Sequence, residues 1–176
     1  MKATGIVRRI DDLGRIVIPK EIRRTLRIKE GDPLEIYTDN NGEVIFKKYS
    51  PIGEIGAVSS QLADALNRQS GLPVIIFDRD HCIACAGISK KEVLERRISA
   101  QCEEIMERRQ NVAATTSSPI YPVEGLEHKA EVVSTIISSG DVSGAVIMLE
   151  GNKKSDESDM KLCNAAALFL GLQLEN

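Results

Sequence analysis

The feature that most constrains this chain is a stretch of 23 residues near its N-terminus, residues 5–27. Two β-branched runs, residues 6–10 and 15–18, flank a short polar segment that contains Gly14, which is the composition that a chain reversal needs. Pro19 follows the second run, and proline is favoured at the start of a helix but excluded from central strands. Ile22 and Leu26 then fall on one helical face. The pattern predicts a hairpin that leads into a helix of about two turns.

This stretch is strongly basic. It holds six of the twelve arginines of the chain: Arg8, Arg9, Arg15, Arg23, Arg24 and Arg27. Arginine presents a rigid fork of donors that suits phosphate oxygens and guanine edges, so a row of arginines on a hairpin favours nucleic acid as the partner. A solvated or ion-paired face is the alternative, because Asp11, Asp12 and Glu21 lie nearby in the sequence.

Charge is distributed unevenly along the 176 residues. Residues 1–50 contain 11 Lys and Arg against 8 Asp and Glu, a net charge of +3, while the rest of the chain has a net charge of −6, giving −3 overall. A polyanion is therefore expected to meet only the N-terminal end. Hydrophobic residues make up 42% of the chain, which is enough for ordinary globular cores. No apolar run has membrane-spanning length, and we expect a cytoplasmic protein.

The same N-terminal residues carry a family resemblance. Residues 5–18 and 22–26 resemble the DNA-binding domain of AbrB-type transition-state regulators, the swapped-hairpin fold, and the match runs from about residue 2 to residue 50. The resemblance implies a dimer whose interleaved hairpins place arginines against double-stranded DNA. On the matching positions these are Arg8, Arg15, Arg23 and Arg24, with Arg9 as a further candidate.

Over its full length the chain is similar to sporulation transcription factors of endospore-forming bacteria. This similarity implies an activator or repressor of sporulation genes, associated with the nucleoid. The pattern contains no long recognition helix, so we expect loose DNA sequence preference. A DNA-binding antitoxin that also binds a toxin is one alternative. A thiol-dependent reductase of the GAF type is the other, although no residue set nominates a catalyst and we expect no enzyme activity.

A second hairpin follows the short helix. Residues 34–38 and 43–47 flank a turn that contains Asn41 and Gly42, one of the stronger hairpin signals. The first domain is therefore strand, short helix, strand in about 50 residues, and a unit of this size buries too little apolar surface to be stable alone. A second copy is expected to complete its core.

A break at Ser50-Pro51-Ile52-Gly53 ends the basic segment. We therefore predict a DNA-binding domain at residues 1–50, a linker at 51–54 and a second domain at 55–176.

The second domain begins and ends with amphipathic helices. They can cap their own sheet or join two subunits, and in the second case hairpin dimers would form a tetramer. The candidate interface residues are Ile55, Val58, Leu62, Leu66, Met160, Ala167, Leu170 and Leu174, and a second apolar face holds Leu162, Leu168, Phe169 and Leu172.

Between these helices the pattern is α/β. Buried strands are expected at residues 72–78 and 82–86, a helix at 89–109 that starts with a Ser89–Glu92 capping box, and a strongly apolar hairpin at 131–149. The order resembles a GAF domain over about residues 55–174, so the predicted fold class is α+β: a swapped-hairpin domain and a GAF-like α/β domain. GAF domains often bind small molecules, and the loop at 112–129 is the candidate place for an unidentified ligand.

The four cysteines do not indicate a metal or redox site. Cys82, Cys85, Cys102 and Cys163 have irregular spacing, and no second Cys or His pair completes a zinc set. Cys82 and Cys85 are three apart on a predicted strand and are expected on opposite faces. We therefore predict buried, reduced thiols, no metal and no cofactor.

Overall fold

The computed structural model describes residues 4–115 and 117–175 and divides the chain into two compact units, Met1–Tyr49 and Ser50–Asn176. The first unit contains helix α1 (Lys20–Thr25) and an antiparallel hairpin of β1 (Leu34–Thr38) and β2 (Val44–Lys48). Asp39 shapes the turn of that hairpin, since its Oδ1 accepts hydrogen bonds from the N–H groups of Asn41 and Glu43 at 3.0 and 2.8 Å. The short helix and the second hairpin lie where the sequence predicts them.

The two arms of the first predicted hairpin, residues 6–10 and 15–18, are not strands in one copy of the chain. They are linked at the turn by a 3.0 Å hydrogen bond from the Asp11 N–H to the Arg15 carbonyl. Val7 and Val17 on these arms are 87% and 70% exposed. β-Branched runs form strands where neighbouring strands pair with them and cover their side chains. The strand prediction is therefore wrong for an isolated copy, which supplies no such neighbours.

The segment expected to be a linker is helical. Helix α2 (Pro51–Glu54) carries Ile52, which is fully buried in the core of the second unit. Helix α3 (Gly56–Ser70) follows and ends at Gly71, whose φ of 71° is the left-handed conformation that favours glycine. The chain is thus folded into the second unit from residue 51 onward.

The second unit is built on a five-stranded antiparallel sheet with strand order β4-β3-β7-β6-β5. The strands are β3 (Val74–Phe77), β4 (Cys82–Ala86), β5 (Val112–Ala113), β6 (Ala130–Ser138) and β7 (Asp141–Leu149). Besides α2 and α3, the described part of this unit contains α4 (Lys90–Val93), α5 (Ala100–Glu107) and α6 (Glu157–Gln173). Both faces are buried. Val74 and Ile76 face α3 and α6, whereas Ile75 and Phe77 face α4, α5 and the loop before β6. Among the described residues, no helix is long and apolar enough to cross a membrane.

The single helix predicted for residues 89–109 is wrong, because α4 and α5 are separated by residues 94–99, a turn at 94–95 followed by an extended stretch. This segment pairs with the edge of β4: the Cys82 N–H donates to the Arg96 carbonyl at 2.9 Å and the Glu95 N–H donates to the Cys82 carbonyl at 3.0 Å. Satisfying the open edge of the sheet outweighs local helix preference. Ser89 occupies the N-cap position of α4 as the sequence predicts, but its side chain makes no cap hydrogen bond. The side chain of Ser99 caps α5 by accepting a hydrogen bond from the Cys102 N–H.

The candidate interface stripes of α3 and α6 pack against the sheet of their own chain. Leu66, Ala167 and Leu170 are buried there, so these three are not available to a second subunit and that part of the prediction is wrong. The other five, Ile55, Val58, Leu62, Met160 and Leu174, are partly buried against the same core. The reason is that a sheet with two apolar faces needs both covered, and these helices are the elements that cover one of them.

Helix α6 lies very close to β6. At Gly171 a Cβ atom would overlap the carbonyl oxygen of Ile137 on that strand. We predict that Gly171→Ala destabilises the chain by about 1–3 kcal/mol, because helix and strand must separate to accept the methyl group. The measurement is a urea unfolding midpoint of the full chain at fixed protein concentration.

Gly56→Ala is the matched control, since this helical glycine in α3 has open space around a new Cβ. It is expected to leave stability unchanged or to raise it by up to about 1 kcal/mol. Equal midpoints for the two variants would contradict the close contact between α6 and β6.

Candidate nucleic-acid interface

The tip of the N-terminal hairpin is organised by Asp11. Its Oδ1 accepts hydrogen bonds from the N–H groups of Leu13 and Arg15 at 3.0 and 2.8 Å, and its Oδ2 accepts from Nε of Arg15 at 2.8 Å. The backbone hydrogen bond from Arg15 lowers the pKa of the Asp11 carboxyl most, and the side-chain hydrogen bond from Arg15 lowers it further. The carboxyl is therefore charged at neutral pH. Gly14 supplies the positive φ of 78° that the turn needs.

The five candidate arginines remain accessible. Arg8, Arg9, Arg15 and Arg24 are exposed and Arg23 is half-buried. Arg15 is ion-paired with Asp11, so the alternative of an ion-paired face is correct for that residue, but its side chain is still 69% exposed. A surface ion pair of this kind contributes little and gives way easily to a phosphate. Within the described residues, the other four arginines form no ion pair.

An apolar groove opens beside Arg8. It has a volume of about 440 Å³ and is formed by the hairpin arms, α1 and β2. Arg8 lies on its wall together with Ile16, Ile22 and Phe46. An exposed apolar groove in so small a unit marks a contact surface, since water-exposed patches of this kind are rare on stable monomers. The basic residue Arg8 and the open apolar groove therefore lie on the same surface of the N-terminal unit.

The candidate ligand loop in the second unit borders two cavities, of about 470 and 340 Å³. The larger one is also lined by residues that sequence reasoning did not select, among them Glu131, Glu150 and Lys154. They lie on β6, after β7 and before α6, so only the sheet topology brings them together. Nothing in their local sequence pattern marks them as members of one site.

The thiols are buried and unreactive in character. Burial raises the pKa of Cys82 and of Cys102 to about 12, and burial also raises that of Cys85. Cys82 and Cys85 lie on the same face of the sheet, so the prediction of opposite faces is wrong. Ile76 pairs with Ala84 and Phe77 pairs with Cys82, so the pairing contains a β-bulge. The extra residue shifts the alternation of side chains by one, which places both cysteines on one face.

We predict that Asp11→Ala loosens the hairpin tip, because it removes three hydrogen bonds. Amide hydrogen exchange at Leu13 and Arg15 should become faster. Since the pKa of Asp11 is lowered on folding, its contribution is present above about pH 3.8 and is lost as the pH falls below that value. Acidification of the unchanged chain should therefore lower the protection of these two amides, measured as the exchange rate relative to the intrinsic rate at the same pH.

Asp12→Ala is the control for this variant. Within the described residues Asp12 makes no such contacts. Equal exchange rates in the two variants would show that Asp11 does not hold the turn.

Two protein families match this chain, and the boundary between their matches lies near the boundary between the two compact units. Residues 54–175 match the family described as stage V sporulation protein T C-terminal, transcription factor. Residues 7–54 match a second family, described as antidote-toxin recognition MazE, bacterial antitoxin. The second match covers only the N-terminal domain, so it does not assign the whole chain.

Individual proteins agree with this division. The chain is 49% identical over 177 residues to stage V sporulation protein T of Bacillus subtilis (strain 168), with 99% of each chain covered. It is 63% identical over 51 residues to the transition state regulatory protein AbrB of the same organism, which covers 29% of this chain and 52% of that protein.

A solved structure supports the fold of the second domain. It is the GAF domain of an Acinetobacter phosphoenolpyruvate-protein phosphotransferase, which superimposes with a TM-score of 0.51 at 13% identity over 73% of this chain and 84% of that one. This likeness confirms the GAF-like fold alone. From the family match and the full-length relative together, the chain belongs to the stage V sporulation protein T family of transcription factors, with an AbrB-like N-terminal domain and a GAF-like C-terminal domain.

Proposed function

We propose that this chain regulates sporulation genes by binding double-stranded DNA through an interleaved dimer of its N-terminal domain. The observation that supports this most strongly is the combination of exposed arginines with an open apolar groove in one small unit. Filling the groove with the hairpin of a second copy completes the core, and it also brings a second set of Arg8, Arg15, Arg23 and Arg24 to the same surface. Arg9 adds to the positive field around them.

Recognition by this surface is expected to depend on DNA shape more than on sequence. Helix α1 has only six residues, which is too short for the recognition helices that enter the major groove. Arginines on hairpins instead contact phosphates and bind DNA that deforms easily. Loose preference combined with a steep dependence on salt follows from this kind of contact.

A second contact between subunits is proposed on the outer face of α6. Leu168 and Phe169 are 64% and 43% exposed there, next to the sheet-facing residues of the same helix. A second copy would cover this face symmetrically, as closed assemblies require. Dimers joined in this way form a tetramer with two DNA-binding heads, and two heads raise the effective affinity even where each head has loose preference.

For the second domain we propose a sensory role without catalysis. The raised pKa values of Cys82 and Cys102 keep both thiols protonated at neutral pH, which disfavours a thiol-dependent reductase. A small ligand near the loop at 112–129 would change DNA affinity, and coupling of this kind is reciprocal. DNA binding places the protein in the cytoplasm with the nucleoid.

The DNA-binding proposal predicts a defined response to salt. Arg8→Ala, Arg15→Ala, Arg23→Ala and Arg24→Ala should each weaken binding to A·T-rich duplex DNA. Each should also reduce the slope of log K against log salt by about 1–2, because every phosphate contact contributes about 0.9 and the dimer carries two copies. Filter binding across a salt series measures both quantities.

The control is Arg108→Ala, an exposed arginine of the second unit that pairs with Glu104 and should bind DNA like the parent. An unchanged slope in all four variants, with the loss confined to single base positions, would overturn the phosphate-based account.

The assembly proposal predicts a change in mass. Leu168→Asp combined with Phe169→Asp should convert a tetramer to a dimer in light scattering, because desolvating two carboxylates in an apolar contact is costly. Both residues are exposed in one copy, so the fold should persist. Gln69→Asp, on the exposed side of α3, controls for added charge. A parent that is already a dimer, or an unchanged mass in the double variant, would exclude this contact.

A further inference from the structure

The larger cavity of the second unit has an unusual lining. It has a volume of about 470 Å³ and lies between the loop that joins β5 to β6 and the residues that flank β6 and β7. Four charged side chains line it, two of each sign: Lys129, Lys154, Glu131 and Glu150. Pro119 and Tyr121 add apolar surface and a hydroxyl group. A cavity of this size lies within the range of small-molecule sites.

The wall of this cavity is held in place by the rest of the domain. Gln101 of α5 donates from its side-chain nitrogen to the Pro119 carbonyl and accepts with its side-chain oxygen from the Tyr121 N–H, both at 3.1 Å. The Ala130 N–H donates to the Ile120 carbonyl at 2.8 Å. The loop is thus tied to both a helix and a strand. Such a wall needs little ordering when a ligand arrives, which lowers the free-energy cost of binding.

The charges in the cavity are only partly satisfied by one another. Lys129 and Glu150 lie 3.7 Å apart and are about half exposed, so their ion pair is weak. Glu131 accepts hydrogen bonds from the N–H and hydroxyl of Ser155 at 3.2 and 2.8 Å. Within the described residues, neither Glu131 nor Lys154 forms an ion pair. In the described part of the chain, one carboxylate and one ammonium group therefore line the same cavity without a charged partner.

We propose that this cavity binds a small zwitterion of the α-amino acid class, with its ammonium group on Glu131 and its carboxylate on Lys154. The proposal rests on the sensory role of the second domain. A ligand of one charge sign would meet two side chains of its own sign, whereas a zwitterion meets both signs favourably. Pro119 and the ring of Tyr121 offer apolar surface for a side chain.

The test begins with calorimetric titration of the full chain with each of the twenty common L-amino acids. For the tightest one, the N-acetyl and amide derivatives are then titrated. Each derivative removes one charge, and we expect each to bind at least about tenfold more weakly, since a hydrogen bond to a charged group is lost. Hydrogen exchange should show protection at residues 117–121 and 129–131.

Two variants assign the two ends of the ligand. Glu131→Gln should lose the preference for a free ammonium group over its N-acetyl form, and it keeps an oxygen to accept from Ser155. Lys154→Met should lose the preference for the free carboxylate over the amide. Glu127→Gln and Lys161→Met are exposed charges outside the cavity lining, and both should behave like the parent.

Absence of saturable binding by any amino acid, or equal binding of the blocked derivatives, would overturn this site. The site would also be overturned if Glu131→Gln kept the preference for a free ammonium group and Lys154→Met kept the preference for a free carboxylate. DNA binding of the same preparation is measured separately by filter binding. Loss of ligand binding with intact DNA binding rejects the cavity proposal alone, whereas ligand binding without DNA binding rejects the proposed DNA-binding function and leaves the cavity assigned.

Discussion

The N-terminal unit depends on the burial of apolar surface that one copy of the chain cannot achieve. Val7, Val17 and Ile36 are exposed in the single copy, and a groove of about 440 Å³ remains open between the hairpin arms, α1 and β2. Each Å² of apolar surface removed from water contributes about 25 cal/mol, so a second copy that fills this groove supplies much of the missing stability. In the proposed dimer, folding and presentation of the arginines are parts of one event, because the hairpin that completes the core carries Arg8 and Arg15.

The second unit buries its apolar surface within one chain. Its sheet is covered on one face by α3 and α6 and on the other by α4, α5 and a loop, and the strands alternate side chains between two cores. Gly144 and Gly171 permit close approach, since a Cβ at either position would overlap a backbone carbonyl of β3 or β6. With the core closed in this way, the exposed residues of α6 and the charged cavity remain accessible on the surface of this unit.

Local patterns predicted most of the elements. The turn at Asn41-Gly42, the apolar strands around residues 131–149 and the helices ending near Gly71 and Leu174 all lie where periodicity and turn chemistry indicate. Two of the failures have a common cause. Residues 94–99 leave the helical state to pair with β4, and a bulge brings Cys82 and Cys85 to one face. Both outcomes depend on how one segment pairs with another strand of the sheet, and the pattern of a single segment does not contain that pairing.

The sequence by itself determined the concentration of arginines near the N-terminus, the second hairpin and the break near residue 50, because composition and turn residues are local properties. The classes of both domains followed from the family resemblance of the same sequence. Tertiary structure alone decided which face of α6 is buried: Leu170 faces the sheet and Leu168 faces solvent, although both are apolar residues of one helix. It also brought Glu131 and Lys154 to one cavity across the sheet. Such choices are made by packing, where one apolar residue is buried only because a particular neighbour is present to cover it.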